Sequence, residues 1–409
     1  MIKKPTLALI FPMVLVLYEI VNYLSNDMYL PALPQMMRSL HLGPSGAQFT
    51  LMWWFLGLAI APLFMGLLAD HCGRRPVLLW SGVVYILSSF VCMIASTGNV
   101  FMVARFFQGA MVSAMFVAGY AAIHESYEHK AAVKILALMA SISVLAPALG
   151  PLLGGFILIA FSWRVIFGII TVWASLNVLA LYFVMPETLK QEARRPFNVR
   201  AVAQQYGEVI FNQHSMILTL AMGFNMAGWL VWITASPLLL IETFGHTPVF
   251  YGWCQAVVFL ANILGNTLIK TLIEKYALMQ LIRFGVVIAC VGVFLGCLVG
   301  AFMPNAVLVF VASVMIFAFG SGLSFAPLNR AIIEASSAPM GCRVAVFSIF
   351  LTLFCALGSV LSALFYNHTI FSMAVMMAAS VSIAYIFISL YNKLSVPGDS
   401  ADSFFFHSN

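Results

Sequence analysis

Residues 66–76 of this chain read Gly66-Leu67-Leu68-Ala69-Asp70-His71-Cys72-Gly73-Arg74-Arg75-Pro76. This short segment carries an acid and two arginines, and it joins two long apolar runs, residues 47–69 and 77–97. A helix needs about 20 mostly apolar residues to cross a bilayer. Both runs are long enough, so this part of the chain predicts two membrane-spanning helices connected by a charged loop.

The composition of the whole chain indicates an integral membrane protein. Of its 409 residues, 63% are hydrophobic and 8% are charged, and the mean hydropathy is +1.03. A soluble protein carries about 25% charged and about 45–50% apolar residues, so a soluble fold is excluded, as is intrinsic disorder. The net charge of +6 is spread over separate short loops, and we therefore expect no nucleic-acid partner.

Long apolar runs recur along the entire sequence, with breaks that are polar or marked by proline and glycine, as at Gly43-Pro44-Ser45-Gly46. The short alternating segments of a membrane β-barrel are missing from the sequence. We predict an all-α integral membrane protein with twelve transmembrane helices. The runs are residues 7–30, 47–69, 77–97, 100–124, 132–160, 163–185, 215–241, 248–271, 279–302, 305–327, 343–366 and 369–391.

The distribution of lysine and arginine predicts the orientation of these helices. If the N-terminus is cytoplasmic, only Arg38 and Arg164 face the other side, which is a strong positive-inside bias. Both termini are then cytoplasmic. The basic residues assigned to the cytoplasm are Lys3, Lys4, Arg74, Arg75, Lys130, Lys134, Lys190, Arg194, Arg195, Arg200, Lys270, Lys275, Arg283, Arg330, Arg343 and Lys393.

The longest polar connection divides the predicted helices six and six. We predict an N-terminal six-helix bundle over residues 1–186, a cytoplasmic linker over 187–213 and a C-terminal six-helix bundle over 214–409. Two such halves are typical of secondary transporters with a substrate cavity between the halves. The remaining loops are too small for a catalytic domain, so we do not expect an enzyme.

Three charged side chains lie well inside the predicted spans, namely Glu19, Asp27 and Arg105. A charge at the bilayer centre costs about 2.5–3.5 kcal/mol on insertion scales, so such residues are functional candidates. The alternative is an arginine–carboxylate pair that only holds two helices together. One arginine cannot neutralise two carboxylates, which favours the functional interpretation.

A polar stripe follows one face of the first predicted helix. It consists of Glu19, Asn22, Tyr23, Asn26 and Asp27, and spacings of three and four residues place these side chains on the same face. Desolvation favours the protonated form of such a carboxylate, and a nearby arginine favours the ionised form. The balance lets a substrate compete with a proton, which is the minimum requirement for antiport.

Four motifs carry a family resemblance. The loop at residues 66–76, Arg105-Phe106-Phe107-Gln108-Gly109, the stretch from Ala146 to Gly155, and Asn26-Asp27-Met28-Tyr29-Leu30-Pro31-Ala32-Leu33-Pro34 resemble the signatures of twelve-helix drug:proton antiporters of the major facilitator superfamily. Tight packing by small residues explains the third motif equally well.

This resemblance implies roles for particular side chains. Glu19 corresponds to the carboxylate that recognises cationic drugs, Asp27 to the central protonated carboxylate, and Arg105 to the coupling arginine. The resemblance places Tyr23, Asn26, Tyr120 and Met139 along the pocket. Asn22 belongs to the polar stripe and is a further candidate for substrate binding. The resemblance also implies charge pairs between the halves at Asp70, Arg74 and Arg75, which would act in gating. Small-xxx-small spacing at Gly150 and Gly154, with Pro151 between them, predicts close helix contact and bending in the same gating role. Glu125, near the cytoplasmic end of its helix, is a candidate for an inner gate, and the alternative is a solvated helix end.

Two further patterns have competing interpretations. Trp229 and Trp232 could form an aromatic substrate wall, although lipid contact or helix packing explains single aromatic residues in a span as well. His124 and His129 are five residues apart, whereas a helical zinc site needs histidines four apart. We therefore expect no metal and no cofactor other than protons as the coupling ion.

Together these features predict a proton-coupled multidrug exporter of lipophilic cationic and neutral compounds, located in the bacterial cytoplasmic (inner) membrane. We expect small lipophilic substrates and membrane lipids as its partners, and a monomer. The alternatives are a dedicated exporter of one metabolite such as a siderophore, proton-driven uptake, and a non-transporting receptor or intramembrane enzyme built on a transporter scaffold.

Overall fold

The computed structural model describes residues 5–194 and 199–394, and the regular secondary structure of these residues is helical. Lys3, Lys4 and Arg195, which contribute to the predicted charge bias, lie outside the described residues. The α-helices are α1 (Pro5–Asp27), α2 (Leu33–Ser39), α3 (Pro44–Ile60), α4 (Pro62–Cys72), α5 (Arg74–Ile94), α6 (Gly98–Ala114), α7 (Tyr120–Ser126), α8 (His129–Ala160), α9 (Trp163–Val184), α10 (Val199–Ile210), α11 (Gln213–Pro237), α12 (Pro248–Leu272), α13 (Leu278–Phe302), α14 (Val307–Glu334), α15 (Met340–Phe365) and α16 (Ile370–Leu394).

Within the described residues, nine helices are long and apolar enough to cross a membrane. The consecutive helices α3 and α4 pass the same test together, but they are bent by 43°. Pro62 begins α4, and proline lacks the N–H that would continue the hydrogen bonding of α3. The helices α1 and α8 lie on the remaining predicted runs. The predicted all-α membrane fold is confirmed, while the count of twelve spans stays a prediction.

Two long helices contain a π-helical turn. One spans Met115–Gly119 and connects α6 to α7, and the other spans Leu238–Thr243 and follows α11. A π turn rotates the residues after it relative to those before it, and such turns occur frequently at functional sites. The first turn lies between Arg105 and Tyr120, two residues that both contact α1.

The chain divides into two compact units. The first comprises the described residues up to Ala201 together with Ile233–Ala256, and the second comprises Val202–Trp232 and the described residues from Val257 onward. The end of α11, the second π turn and the beginning of α12 therefore pack with the first unit. The predicted bundle boundaries at residues 186 and 214 remain a prediction.

Helix pairs in the second unit pack closely through small residues. A Cβ atom added to Gly285 of α13 would lie 2.7 Å from both the carbonyl oxygen of Gly320 and the backbone nitrogen of Ser324 in α14. Small residues allow such backbone contact between membrane helices. In the same unit, Asn262 of α12 donates a hydrogen bond to the Ala318 carbonyl oxygen of α14 at 3.1 Å.

We expect Gly285→Val to destabilise the second unit, because the new side chain would overlap the α14 backbone. Overpacking of this kind costs about 1–3 kcal/mol. Thermal unfolding of the detergent-purified protein measures the effect, which we expect to be a loss of several degrees in melting temperature. Gly341→Val is the control, since a Cβ at Gly341 meets no atom within 4 Å. Equal melting temperatures for both variants would contradict the proposed helix contact.

Candidate functional site

The polar stripe of α1 is buried in the first unit. The exposed fractions are 0% for Glu19, 2% for Asn22, 8% for Asn26 and 4% for Asp27, and Tyr23 is half-buried. Asp27 is the last residue of α1, where the helix gives way to a 3₁₀ turn at Leu30–Ala32 that contains a proline. The negative end of the helix dipole therefore adds to burial in disfavouring an ionised carboxylate at this position.

Arg105 is the centre of a buried hydrogen-bond network between α6 and α1. It is 0% exposed, and its Nη1 atom donates to the Ser25 carbonyl oxygen at 3.1 Å and to Gln108 Oε1 at 2.5 Å. Gln108 Nε2 in turn donates to Ser89 Oγ on α5 at 2.8 Å. The guanidinium lies 4.5 Å from the ring centroid of Tyr29. Charge-assisted hydrogen bonds and a cation–π contact thus compensate the buried cation.

The Asn26 carboxamide connects this arginine to Asp27. Arg105 Nη2 donates to Asn26 Oδ1 at 3.2 Å, and Asn26 Nδ2 donates to Asp27 Oδ1 at 3.2 Å. The arginine therefore acts on the carboxylate through an amide. Such a relay stabilises an ionised Asp27 less than a direct bidentate pair would, which leaves room for a proton or a cation at the carboxylate.

Glu19 has one satisfied and one unsatisfied carboxylate oxygen. Tyr120, the first residue of α7, donates a hydrogen bond to Glu19 Oε1 at 2.6 Å. Glu19 Oε2 is buried without a hydrogen-bond partner among the described residues, and so are both polar atoms of the Asn22 carboxamide. Buried polar groups are normally paired, so these atoms form a group of acceptors and one donor with unused hydrogen-bonding capacity.

The predicted helix-packing residues of α8 lie against the end of α1. A Cβ added to Gly150 would lie 2.7 Å from Asp27 Cβ, and one added to Gly154 would overlap the Met28 carbonyl oxygen. Pro151, inside α8, is buried between these glycines. The small residues therefore bring the α8 backbone directly against the residue that carries the central carboxylate.

The predicted gating charges form a cluster within the first unit. Arg74 pairs with Asp70 Oδ1 at 2.7 Å and with Glu125 Oε1 at 3.2 Å. The Arg74 backbone N–H also donates to Glu187 Oε1 at 3.0 Å. Gly73 precedes it with φ of +108°, a conformation that favours glycine. These contacts connect the α4–α5 loop to the end of α7 and to the segment after α9.

Arg75 contacts a different residue of the same unit. Its Nη2 atom donates to the Tyr182 carbonyl oxygen at 2.7 Å, and its guanidinium lies 5.4 Å from the Tyr182 ring centroid. The resemblance implied charge pairs between the halves for Asp70, Arg74 and Arg75. The contacts described here for these three side chains are with residues of the first unit, and the latch between the halves stays a prediction.

Other predicted pocket residues are packed among apolar neighbours. Trp229 is 4% exposed and lies 5.0 and 5.2 Å, between ring centroids, from Phe259 and Phe317 in the second unit. Trp232 is 0% exposed and lies 6.1 Å from Phe310. Met139 of α8 is also 0% exposed. The ring contacts of the two tryptophans are those of helix packing. A role in binding substrate stays a prediction for Trp229, Trp232 and Met139.

The residues described here contain no group of three or more His, Cys, Asp and Glu side chains that could hold a metal ion. The polar groups that the site presents are the two carboxylates, the arginine and the carboxamides on α1 and α6.

A family model provides the decisive comparison. The model described as Major Facilitator Superfamily matches residues 15–235, more than half of the chain. The chain belongs to the major facilitator superfamily. Chloramphenicol resistance protein CraA of Acinetobacter baumannii is 32% identical over 346 residues, which cover 84% of this chain and 83% of that protein. Multidrug transporter MdfA of Yersinia pestis is 30% identical over 334 residues, 82% of this chain and 81% of that protein.

Solved structures agree with the superfamily fold. A POT family transporter superimposes with a TM-score of 0.75 at 13% identity and covers 96% of this chain and 97% of its own. A bacterial homologue of the human lysosomal transporter Spinster gives a TM-score of 0.73 at 14% identity, covering 96% and 98%. These identities support the fold alone. The predicted membership in the major facilitator superfamily is confirmed.

Sequence reasoning missed several residues that contact the predicted site residues of this superfamily member. Tyr29, which packs on Arg105 and hydrogen-bonds with Thr50 Oγ1 at 2.9 Å, lies beyond the end of α1 and outside its helical spacing. Glu187 stands in a polar segment that gave no hint of a contact with Arg74. A scan for tyrosines in spans could have identified Tyr29 as a candidate.

We expect Arg105→Lys to lower the melting temperature of the purified protein by several degrees. Lysine cannot reproduce the planar set of hydrogen bonds to Ser25, Asn26 and Gln108, and each lost charged hydrogen bond costs about 1.5–3 kcal/mol. Arg38→Lys serves as the control, because Arg38 is exposed and makes a surface ion pair with Glu242. If Arg105→Lys melts like Arg38→Lys, the buried arginine does not organise the α1–α6 interface.

Proposed function

We propose that this protein exports small lipophilic compounds, both cationic and neutral, from the cytoplasm in exchange for protons. The observation that carries the proposal is the pair of buried carboxylates on one face of α1, each with a different set of partners. The names of the relatives CraA and MdfA, a chloramphenicol resistance protein and a multidrug transporter, support efflux of drugs. The proposed protein is a transporter and not an enzyme, and we place it in the bacterial inner membrane.

Asp27 is the proposed site of proton exchange. It is 4% exposed, stands at the negative end of α1, and is linked to Arg105 by the hydrogen bonds of the Asn26 amide described above. Burial and the helix dipole favour the neutral acid, and the relayed arginine favours the anion. Because these influences oppose each other, a substrate can displace the proton.

Glu19 and Asn22 are the proposed recognition groups for substrate. Glu19 Oε2 can accept a hydrogen bond or face a cationic centre, while the Asn22 carboxamide offers both a donor and an acceptor. The same groups therefore serve a cation through charge and a neutral compound through hydrogen bonds. The proposed site needs no cofactor other than protons, and we propose that the transporter works as a monomer.

The packing of α8 on α1 supports coupling between the carboxylate and helix movement. Gly150 and Gly154 place the α8 backbone against Asp27 and Met28, so a change in the position or hydration of Asp27 acts directly on α8. Pro147 and Pro151 interrupt the hydrogen-bond ladder of α8, which makes this helix easier to bend. We propose that α8 bends as the transporter alternates between states open to either side of the membrane.

We expect Asp27→Asn to reduce substrate-dependent proton exchange at least tenfold, because an amide cannot bind and release the proton. Proteoliposomes that report substrate flux and internal pH together provide the measurement, with ethidium as a lipophilic cation and chloramphenicol as a neutral compound. Glu334→Gln is the control, since Glu334 is 46% exposed and pairs with Arg330.

The same assay separates the alternatives. Full proton-coupled efflux by Asp27→Asn would show that the coupling site lies elsewhere. Flux of both probes into the cytoplasmic side would indicate uptake, and the absence of flux for either probe would favour a dedicated exporter or a non-transporting protein.

We expect Glu19→Gln to weaken ethidium binding roughly tenfold, which corresponds to about 1.4 kcal/mol, while chloramphenicol binding changes by less than about threefold. The substitution removes the charge but retains the hydrogen bond with Tyr120. Titration of the purified variant with each compound gives the ratio of the two effects. Equal losses for the cation and the neutral compound would contradict a charge-based role of Glu19.

A further inference from the structure

An apolar groove runs along the surface of the second unit between α13 and α16. These two helices are both long and apolar enough to cross a membrane. The groove has a volume of about 570 Å³, and its lining includes Val287, Val291, Phe294 and Leu298 of α13 and Tyr385 and Ile386 of α16. These six side chains are between 38% and 54% exposed. Exposed apolar surface of this kind marks a site of contact with a partner or with the membrane.

The two helices run antiparallel, so each end of the groove is formed by the beginning of one helix and the end of the other. A Cβ on Gly300, near the end of α13, would lie 2.6 Å from Phe371 Cα, near the beginning of α16. At the opposite end of the pair, Ile282 of α13 and Ile388 of α16 belong to one buried apolar cluster. Residues just after the beginning of α13 and just before the end of α16 therefore lie at the same end of the groove.

Two basic side chains stand at that end. Arg283 lies four residues before Val287 on α13, and Lys393 lies seven residues after Ile386 on α16, so helical spacing places each on the same face as the groove lining. Both are exposed, and neither makes a hydrogen bond or an ion pair with another residue in the ranges 5–194 and 199–394. The groove thus ends at two cations without a counter-charge, on the predicted cytoplasmic side.

The position of Arg283 calls for an anion. It stands five residues after the beginning of α13, which is about 8 Å along the helix, and the next residue, Phe284, is 50% exposed. A cation among exposed apolar side chains extends its long side chain toward the membrane interface. The anion at that level of a bilayer is a lipid phosphate, which a guanidinium binds through two parallel hydrogen bonds.

We propose that the groove between α13 and α16 binds one anionic phospholipid, with the phosphate between Arg283 and Lys393 and an acyl chain along the apolar lining. The groove is about 16 Å long from Val287 to Leu298, which matches one leaflet, half of a hydrocarbon core of about 30 Å. Basic pockets between membrane helices on the cytoplasmic side suit anionic headgroups. The site lies in the second unit and does not depend on the carboxylates of α1 or on the proposed export.

A second groove offers an internal comparison. It lies in the first unit between α5 and α6, has a volume of about 550 Å³, and is lined by residues that include Leu87 and Val103. The basic residue within four positions of its lining is Arg105, which is 0% exposed and bound to the backbone of α1. The two grooves are therefore alike in size and in apolar lining, and the groove between α13 and α16 differs by its exposed cations.

The first test measures lipid binding to the full-length purified protein by native mass spectrometry. Dioleoylphosphatidylglycerol is the anionic probe, and dioleoylphosphatidylcholine, with the same acyl chains, is the zwitterionic probe. We expect the native protein to prefer the anionic lipid about tenfold, and Arg283→Gln combined with Lys393→Gln to reduce that preference below about threefold, because both headgroup contacts are lost.

Lys130→Gln combined with Lys134→Gln is the matched control. It removes two exposed cations of α8 from the same predicted side of the membrane, and the native preference should remain. Equal binding of the two lipids by the native protein, or an equal loss of preference in the two double variants, would overturn the inference.

A second pair of variants tests the groove itself. Val291→Trp fills the groove between α13 and α16, and Val103→Trp fills the comparison groove at a similarly exposed position. We expect Val291→Trp to weaken binding of dioleoylphosphatidylglycerol by about fivefold, because the acyl chain loses apolar contact, and Val103→Trp to leave it unchanged. The melting temperature of each variant confirms that it is folded.

The remaining outcomes distinguish the lipid from a free phosphate. Glycerol phosphate should compete weakly, since it lacks the acyl chains. Competition by glycerol phosphate that equals competition by the lipid would show a site for phosphate alone, and it would overturn the inference, as would equal effects of Val291→Trp and Val103→Trp.

Discussion

An arginine without exposure to solvent, placed in a helix that crosses a membrane, constrains the structure around it. Arg105 needs acceptors that neither lipid nor apolar side chains provide. The protein supplies them from α1 and from its own helix: the Ser25 carbonyl oxygen, the Asn26 amide oxygen and the Gln108 amide oxygen, with the Tyr29 ring below the guanidinium. These requirements fix the rotation of α1 relative to α6, and with it the direction of the polar stripe.

The two carboxylates of that stripe stand in different surroundings. Asp27 is tied by an amide to the arginine and packed under α8, whereas Glu19 is held by Tyr120 after the π turn and retains one unpaired oxygen. A group whose two protonation states are nearly balanced suits proton exchange, and a carboxylate with a free acceptor suits ligand recognition. The proposed division of labour follows from these surroundings and not from the residue type, which is an acid in both cases.

The contacts of α8 and of Arg74 show how the rest of the first unit packs around these groups. Glycines at 150 and 154 leave no side chain between the α8 backbone and the end of α1, so small movements at Asp27 reach α8 directly. At the other end of the first unit, Arg74 joins Asp70, Glu125 and Glu187. That cluster gathers residues from three separate segments, and its charges are already paired within the unit.

The membrane class, the long helical runs and the stripe on α1 were readable from the residues alone, because hydropathy and helical periodicity are local properties of the chain. Glu19, Asp27 and Arg105 were recognisable for the same reason: a charge in an apolar run is visible without any knowledge of its neighbours. The amide between Arg105 and Asp27, the hydrogen bond from the Arg74 backbone N–H to Glu187 and the packing of Tyr29 on Arg105 were not. Each joins residues from different segments of the chain, and the distance between two such residues depends on how the backbones pack, which no single segment of sequence encodes.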